Sequence, residues 1–92
     1  MSSQFHCSGT GVFLTWEVDG LSHNFPEIKQ RGIFAVIITE SGTIQSNLTV
    51  PATIENNGTT VRCAIGETFV SIPVVSNYST LTVLSGEVSQ TL

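Results

Sequence analysis

The chain has 92 residues, of which 11% are charged, and it carries a formal net charge of −4. A chain of this length forms one domain with a modest core, so its stability benefits from reinforcement. Its seven acidic side chains outnumber its three basic ones, which makes nucleic acid and anionic membranes poor partners.

Short runs of β-branched and aromatic residues recur along the chain, separated by Gly, Asn, Ser or Pro, a pattern typical of β-strands. The first run, 4–9, alternates Phe5 and Cys7 with His6, which predicts that Phe5 and Cys7 point inward. The second run, 12–18, predicts a strand whose inward residues are Val12, Leu14, Trp16 and Val18.

The middle of the chain continues this pattern. Residues 33–39, "IFAVIIT", are apolar on both faces, and the run is far shorter than the roughly 20 residues of a membrane span. A turn at 40–43 precedes a strand over 43–50, which should stop at Pro51 because proline cannot donate to a sheet. We therefore expect no membrane span in this chain.

The last two strand-like runs are 59–65, with Cys63 on its inward face, and 79–84. Six or seven short strands with frequent turns predict an all-β fold, an antiparallel sandwich or barrel. We place a single domain at 1–86. The polar segment 87–92 is interpreted as a tail or as a linker to a following domain.

The two cysteines, Cys7 and Cys63, lie on inward faces of strands that are far apart in sequence. A bond between them would close a loop of about 56 residues and contribute about 4 kcal/mol in the chain-entropy model. Such a bond would favour an oxidising compartment. The alternative is two unpaired buried thiols, which behave as small hydrophobic side chains.

Trp16 completes a set that resembles the immunoglobulin superfamily, since it follows Cys7 by nine positions and precedes Cys63 by 47. The segments 46–63 and 79–86 are similar to the strand E, strand F and strand G regions of that family. The resemblance implies an immunoglobulin-like antiparallel β-sandwich with one inter-sheet disulfide between strands B and F. Trp16 would pack on this disulfide as a core pin.

Within this resemblance we expect an intermediate or constant-like domain with strand A short or missing, because only six residues precede Cys7. The family often has a tyrosine two residues before the second cysteine, and Val61 stands there instead, so the tie at the E–F corner is expected to be absent. The strands are assigned as B (4–9), C (12–18), C′ (25–30), D (33–40), E (43–50), F (59–65) and G (79–84).

Catalysis requires titratable groups that converge, and the two histidines, His6 and His23, have no nucleophile at a motif spacing. A zinc site built from these histidines and the two cysteines would lack the usual ligand spacing. The acidic residues are scattered and contain no calcium-binding run. We therefore expect no enzyme activity, no metal site and no cofactor.

Three N-glycosylation acceptor sequences begin at Asn47, Asn57 and Asn77, and they favour a secretory origin. Asn47 should face outward if Leu48 faces inward, and Asn57 lies in a predicted turn. No signal peptide precedes the first strand. We interpret the chain as an ectodomain fragment that is extracellular or at the cell surface.

In the resembled family, partners usually bind the sheet of strands G, F, C and C′, or the end loops. The outward candidates on strands C and F are Phe13, Thr15, Glu17 and Arg62. Phe25 and Ile28 would extend an apolar patch around Phe13, unless strand C′ simply covers this ring. The segment between strands F and G forms either a recognition loop or an extended hairpin. Its interface candidates are Phe69 and Val70.

These features predict an extracellular binding module that acts in cell adhesion or recognition as part of a larger receptor or cell-surface protein. One alternative is an intracellular structural immunoglobulin domain, which works as a spacer without a disulfide. Another is a soluble immunoglobulin-type protein that binds a ligand through its F–G loop. The expected partner of the leading interpretation is a cell-surface or secreted protein.

The short or missing strand A and the apolar run 33–38 both favour strand pairing between chains. We predict that the chain forms a homodimer at high micromolar concentration. Sedimentation velocity across that range measures the association, and a single monomeric species throughout would contradict the prediction.

Overall fold

Strands dominate the part of the chain that the structure describes, residues 2–68, 72–84 and 87–91. The structure is a computed structural model. It contains two antiparallel sheets whose buried side chains join in one core, so the predicted all-β antiparallel fold is confirmed. The elements are β1 (Ser2–Thr10), β2 (Phe13–Val18), β3 (Leu21–Ser22), α1 (Pro26–Lys29), β4 (Phe34–Glu40), β5 (Thr43–Pro51), a 3₁₀ helix (Ile54–Asn56), β6 (Thr60–Gly66), β7 (Val74–Val75), β8 (Ser79–Leu84) and β9 (Glu87–Thr91).

The smaller sheet has the strand order β1-β5-β4. Between β4 and β5, Ser41 and Gly42 have φ angles of 48° and 82°, the left-handed pair that a two-residue type I′ hairpin requires. This confirms the turn predicted at 40–43. It also sets the register in which Glu40 lies opposite Thr43.

The larger sheet has the order β3-β2-β6-β8-β9, and β7 pairs separately with β6. Asp19 and Gly20, with φ angles of 50° and 85°, form a second type I′ turn between β2 and β3. β2 and β6 run antiparallel with Trp16 directly opposite Cys63. Half-buried and fully buried side chains alternate along the whole of β2, as expected for a strand with one face on the core.

Four residues join the two sheets. Cys7 of β1 and Cys63 of β6 form the predicted disulfide. Cys7 lies opposite Ser46 in the smaller sheet, and Cys63 lies opposite Trp16 in the larger one. The Trp16 Nε1–H donates to Ser46 Oγ at 2.9 Å. We call these residues the four-residue ring, since one covalent bond, two strand pairings and one hydrogen bond close it.

Two sequence-based assignments are wrong. The segment 25–30, expected as strand C′, contains helix α1, because Pro26 stands in the first helical turn, where its missing N–H is tolerated. The helix directs Ile28 into the core, where 2% of it is exposed. Val12, expected inward, is 48% exposed, because the chain is still crossing from one sheet to the other there and β2 begins one residue later.

The segment expected as a polar tail or linker also differs from that expectation. Glu87–Thr91 form β9, which pairs antiparallel with β8 so that Val83 lies opposite Val88. An edge strand presents unpaired backbone N–H and C=O groups. β9 supplies hydrogen-bond partners for these groups along the outer edge of β8.

Arg31 anchors a polar network between the segment after α1 and the corner before β6. Its guanidinium donates to Asp19 Oδ2 at 2.9 Å, to Asn56 Oδ1 at 2.9 Å and to Thr59 Oγ1. Burial raises the pKa of the Asp19 carboxyl, but hydrogen bonds from Thr60 and Arg31 lower it by more, so it lies below its usual value of 3.8. This network ties the segment after α1 to the corner before β6 and to the β2–β3 turn.

Replacing Ser46 with alanine should destabilise the domain by about 1–3 kcal/mol, because the buried Trp16 Nε1–H would lose its acceptor. The matched control is Gln45→Ala on the exposed face of the same strand, which should change the free energy of unfolding by less than about 0.5 kcal/mol. Urea unfolding followed by Trp16 fluorescence measures both. Equal effects of the two substitutions would contradict the role of this hydrogen bond.

Candidate functional site

The outward sides of β2 and β6 carry four of the eight interface residues that the sequence predicted, Phe13, Thr15, Glu17 and Arg62. Thr15 lies opposite Ala64 and Glu17 lies opposite Arg62 in the register of the two strands. Val75 of β7 lies beside Ala64 and is 50% exposed. We call this surface the candidate face and define it by Phe13, Thr15, Glu17, Arg62, Ala64, Val75 and Tyr78.

Glu17, Arg62 and Tyr78 form a closed cluster at one end of the candidate face. The Arg62 Nε–H donates to Glu17 Oε2 at 2.8 Å, and the Tyr78 hydroxyl donates to Glu17 Oε1 at 3.1 Å. The Arg62 guanidinium carbon lies 4.6 Å from the centroid of the Tyr78 ring. The hydrogen bond from Arg62 to Glu17 raises the pKa of the Arg62 guanidinium. Each side chain therefore restricts the rotamers of the other two.

This cluster matters more for holding its side chains in fixed positions than for the stability of the fold. The side chains of Glu17 and Arg62 are each 30% exposed, and ion pairs at the surface contribute little to folding stability. Fixing their geometry in advance does reduce the side-chain entropy that a binding partner would otherwise have to remove. The cluster is thus better suited to recognition than to stabilising the fold.

Phe13 lies at the other end of the candidate face, where its ring covers Gly66. A Cβ atom added to Gly66 would lie 2.0 Å from the Phe13 Cε1, so the ring occupies the space of a missing side chain. Phe13 is half-buried because its ring packs on Gly66, which lies opposite it on the neighbouring strand β6.

Two of the remaining interface candidates, Phe25 and Ile28, do not share a surface in the structure. Phe25 is 44% exposed, but Ile28 is buried, so the apolar patch predicted from this pair around Phe13 is wrong. Helix α1 is the reason, since it directs Ile28 inward. Phe69 and Val70 lie outside the described residues and stay predictions.

Val75 and Tyr78 belong to the candidate face but were not predicted as interface residues. Tyr78 is the more important of the two, because it completes the cluster with Glu17 and Arg62. It precedes β8 in a segment without strand alternation, and the sequence draws attention to this segment only through Asn77. Its partner Glu17 is 61 positions away, so no local pattern links the two residues.

A cleft of about 330 Å³ opens between β1 and β7. The Cys7–Cys63 disulfide, Ile65 and Val75 lie along it, together with the carboxylate of Glu67. Because its walls are largely apolar, the cleft can receive an apolar side chain. It adjoins the candidate face at Val75.

The histidines do not come together. His6 faces outward on β1, as predicted, and its Nδ1 lies 2.9 Å from Asn47 Oδ1. Across residues 2–68, 72–84 and 87–91, no three His, Cys, Asp or Glu side chains are placed to hold a metal ion. Nor does this part of the chain contain a helix with the length and apolarity needed to cross a membrane.

His23 completes the edge of β2 beyond the short strand β3. Its backbone N–H donates to Trp16 O at 2.8 Å, and its ring Nδ1 accepts the Trp16 backbone N–H at 3.1 Å. The ring replaces the carbonyl that a longer β3 would supply. Burial lowers the pKa of His23 below its usual value of 6.5, and the charge of Lys29 adds to this effect.

Comparisons with protein-family models, with curated proteins and with solved structures found no match to this chain.

The free energy of unfolding should fall as the pH drops below 6.5. In the unfolded chain His23 takes up a proton near its usual pKa of 6.5, whereas the folded ring has a lower pKa, so protonation favours the unfolded chain. The contribution is complete above that pH and declines below it by up to about 1.4 kcal/mol per pH unit until the folded ring titrates. Urea unfolding at a series of pH values measures the slope.

His23→Asn is the test variant, because an asparagine oxygen can replace the Nδ1 acceptor without titrating in this range. It should flatten the pH dependence, whereas His6→Gln on the exposed face should leave it in place. A wild-type slope in His23→Asn would show that another group is responsible.

Proposed function

We propose that this chain is an extracellular immunoglobulin-like binding module of a larger receptor or cell-surface protein, acting in adhesion or recognition. It binds a protein partner through the candidate face. The observation that carries this proposal is the cluster of Glu17, Arg62 and Tyr78 on an exposed sheet surface.

The chemistry of the candidate face fits protein recognition. Tyrosine and arginine are enriched among the residues that contribute most to binding energy, and charged groups at the rim set orientation. Here Arg62 and Tyr78 are already held against each other, so less conformational entropy is lost on binding. The small side chains of Thr15 and Ala64 leave a shallow strip between this cluster and Phe13, on which a partner side chain can lie.

The immunoglobulin-like assignment is supported by the strand order. β1-β5-β4 corresponds to strands B, E and D, and β3-β2-β6-β8 corresponds to C′, C, F and G of the resembled family. The disulfide joins the strands that correspond to B and F, and Trp16 lies opposite Cys63.

The extracellular location is supported by the disulfide, since such bonds persist in oxidising compartments. It is also supported by the exposure of all three acceptor residues, Asn47, Asn57 and Asn77.

The binding test uses the secreted domain, multimerised, on an array of cell-surface and secreted ectodomains. For a partner found in this way, Tyr78→Ala and Arg62→Ala should each weaken the affinity by at least about tenfold. Gln45→Ala on the opposite sheet should change it by less than about twofold. A partner whose affinity none of these variants alters would place the binding surface elsewhere.

The location is tested by alkylating the native protein and measuring its intact mass with and without reductant. Cys7 and Cys63 should resist alkylation until they are reduced. Two thiols that react in the folded, unreduced protein from its natural source would favour the intracellular spacer instead.

A further inference from the structure

The outer face of the smaller sheet is divided into a polar and an apolar half. On β4, Phe34, Val36 and Ile38 point outward and are 55%, 54% and 51% exposed. On β1, the same face carries polar residues, among them Gln4 and His6, both exposed. We call Phe34, Val36 and Ile38 the apolar row.

The acceptor sequence of Asn47 lies directly beside the apolar row. In the register of β4 and β5, Asn47 is opposite Val36 and Thr49 is opposite Phe34. Leu48, between them, is fully buried. Both polar residues of the acceptor sequence therefore share the outer face with the apolar row, at the distance of cross-strand neighbours.

His6 orients the Asn47 carboxamide. Its ring Nδ1 lies 2.9 Å from Asn47 Oδ1, which holds the oxygen on the β1 side. Asn47 Oδ1 is therefore the carboxamide atom that faces His6, and Asn47 Nδ2 is not part of this contact. Nδ2 is the atom that carries the sugar in an N-linked glycan.

β4 also has an unprotected edge. Because the type I′ turn makes Glu40 and Thr43 a hydrogen-bonded pair, alternate residues of β4 turn their N–H and C=O groups away from β5. These residues are Ala35, Ile37 and Thr39. β4 ends the strand order of its sheet, and no strand of the described chain pairs with this edge. An apolar row on such an edge promotes pairing with another chain.

We infer that Asn47 carries an N-linked glycan whose first sugars cover the apolar row and block the β4 edge. N-acetylglucosamine has an apolar ring face and a methyl group that can pack on Val36 and Phe34, while the remaining sugars are hydrated. The inference rests on the proposed function, because N-glycosylation requires the secretory pathway. In that step Asn47 Nδ2 attacks C1 of a lipid-pyrophosphate-linked oligosaccharide. The C1–O bond breaks, the lipid pyrophosphate leaves with the electron pair, and Nδ2 loses one proton.

The other two acceptor sequences have different surroundings. Asn57 precedes Gly58, whose φ is 80°, in a tight turn closed by the Thr59 N–H on Asn56 O at 3.2 Å. Thr59 itself is buried. Asn77 adjoins Tyr78 of the candidate face. Neither is a cross-strand neighbour of the apolar row, so these two sites serve as internal controls.

The test compares two substitutions at one position in the full chain, secreted from a eukaryotic cell line. Thr49→Ser keeps the acceptor sequence and Thr49→Ala removes it. Glycopeptide mass spectrometry should find a glycan on Asn47 in Thr49→Ser only. In sedimentation velocity, Thr49→Ala should self-associate at a concentration about tenfold lower than Thr49→Ser. Adding Val36→Thr to Thr49→Ala should reverse this shift.

A direct readout is a nuclear Overhauser contact between the N-acetyl methyl of the first sugar and the Val36 methyls. Asn47 unmodified while Asn57 or Asn77 is glycosylated would overturn the inference and leave the proposed function intact. A glycan on Asn47 with equal self-association of both variants would overturn the covering role. No glycan at any site, with cysteines that alkylate without reductant, would contradict both proposals.

Discussion

The two sheets depend on the four-residue ring, which joins them through one disulfide and one buried hydrogen bond. Side chains alternate across a strand, so a residue held inward sets its two neighbours outward. Glu17 and Arg62 are the sequence neighbours of ring members on the larger sheet, and His6 and Asn47 are those on the smaller sheet. The composition of both outer faces therefore follows from which residues the ring holds inside.

The chain uses its few cations in two different ways. Arg31 donates to Asp19 of the β2–β3 turn and to Asn56 and Thr59 of the corner before β6, which makes it a structural tie between these two segments. Arg62 forms an equally short ion pair with Glu17, and its guanidinium lies against the ring of Tyr78. The first arrangement joins two turns to the segment after α1, whereas the second belongs to the candidate face.

The two outer faces pose opposite physical problems. Under the proposed function the candidate face gains from exposure, because its aromatic and charged groups would contact the partner. The apolar row on β4 has the opposite requirement, since exposed apolar side chains beside a free strand edge promote unselective pairing. A hydrated glycan on the smaller sheet would leave the candidate face as the surface that contacts other proteins.

Local alternation was enough to determine the inward cysteines and the strands that carry them, because neighbouring residues of a strand must face opposite sides. The turn at 40–43 was determined by its turn-forming residues Ser41 and Gly42. The Asp19-Gly20 dipeptide is an equally local turn signal. Only the tertiary structure decided that Ile28 enters the core, that Tyr78 reaches Glu17, and that Phe34, Val36 and Ile38 of the evenly apolar run 33–38 stay uncovered. Periodicity reports which side chains share a face, but the cover over that face comes from residues distant in sequence.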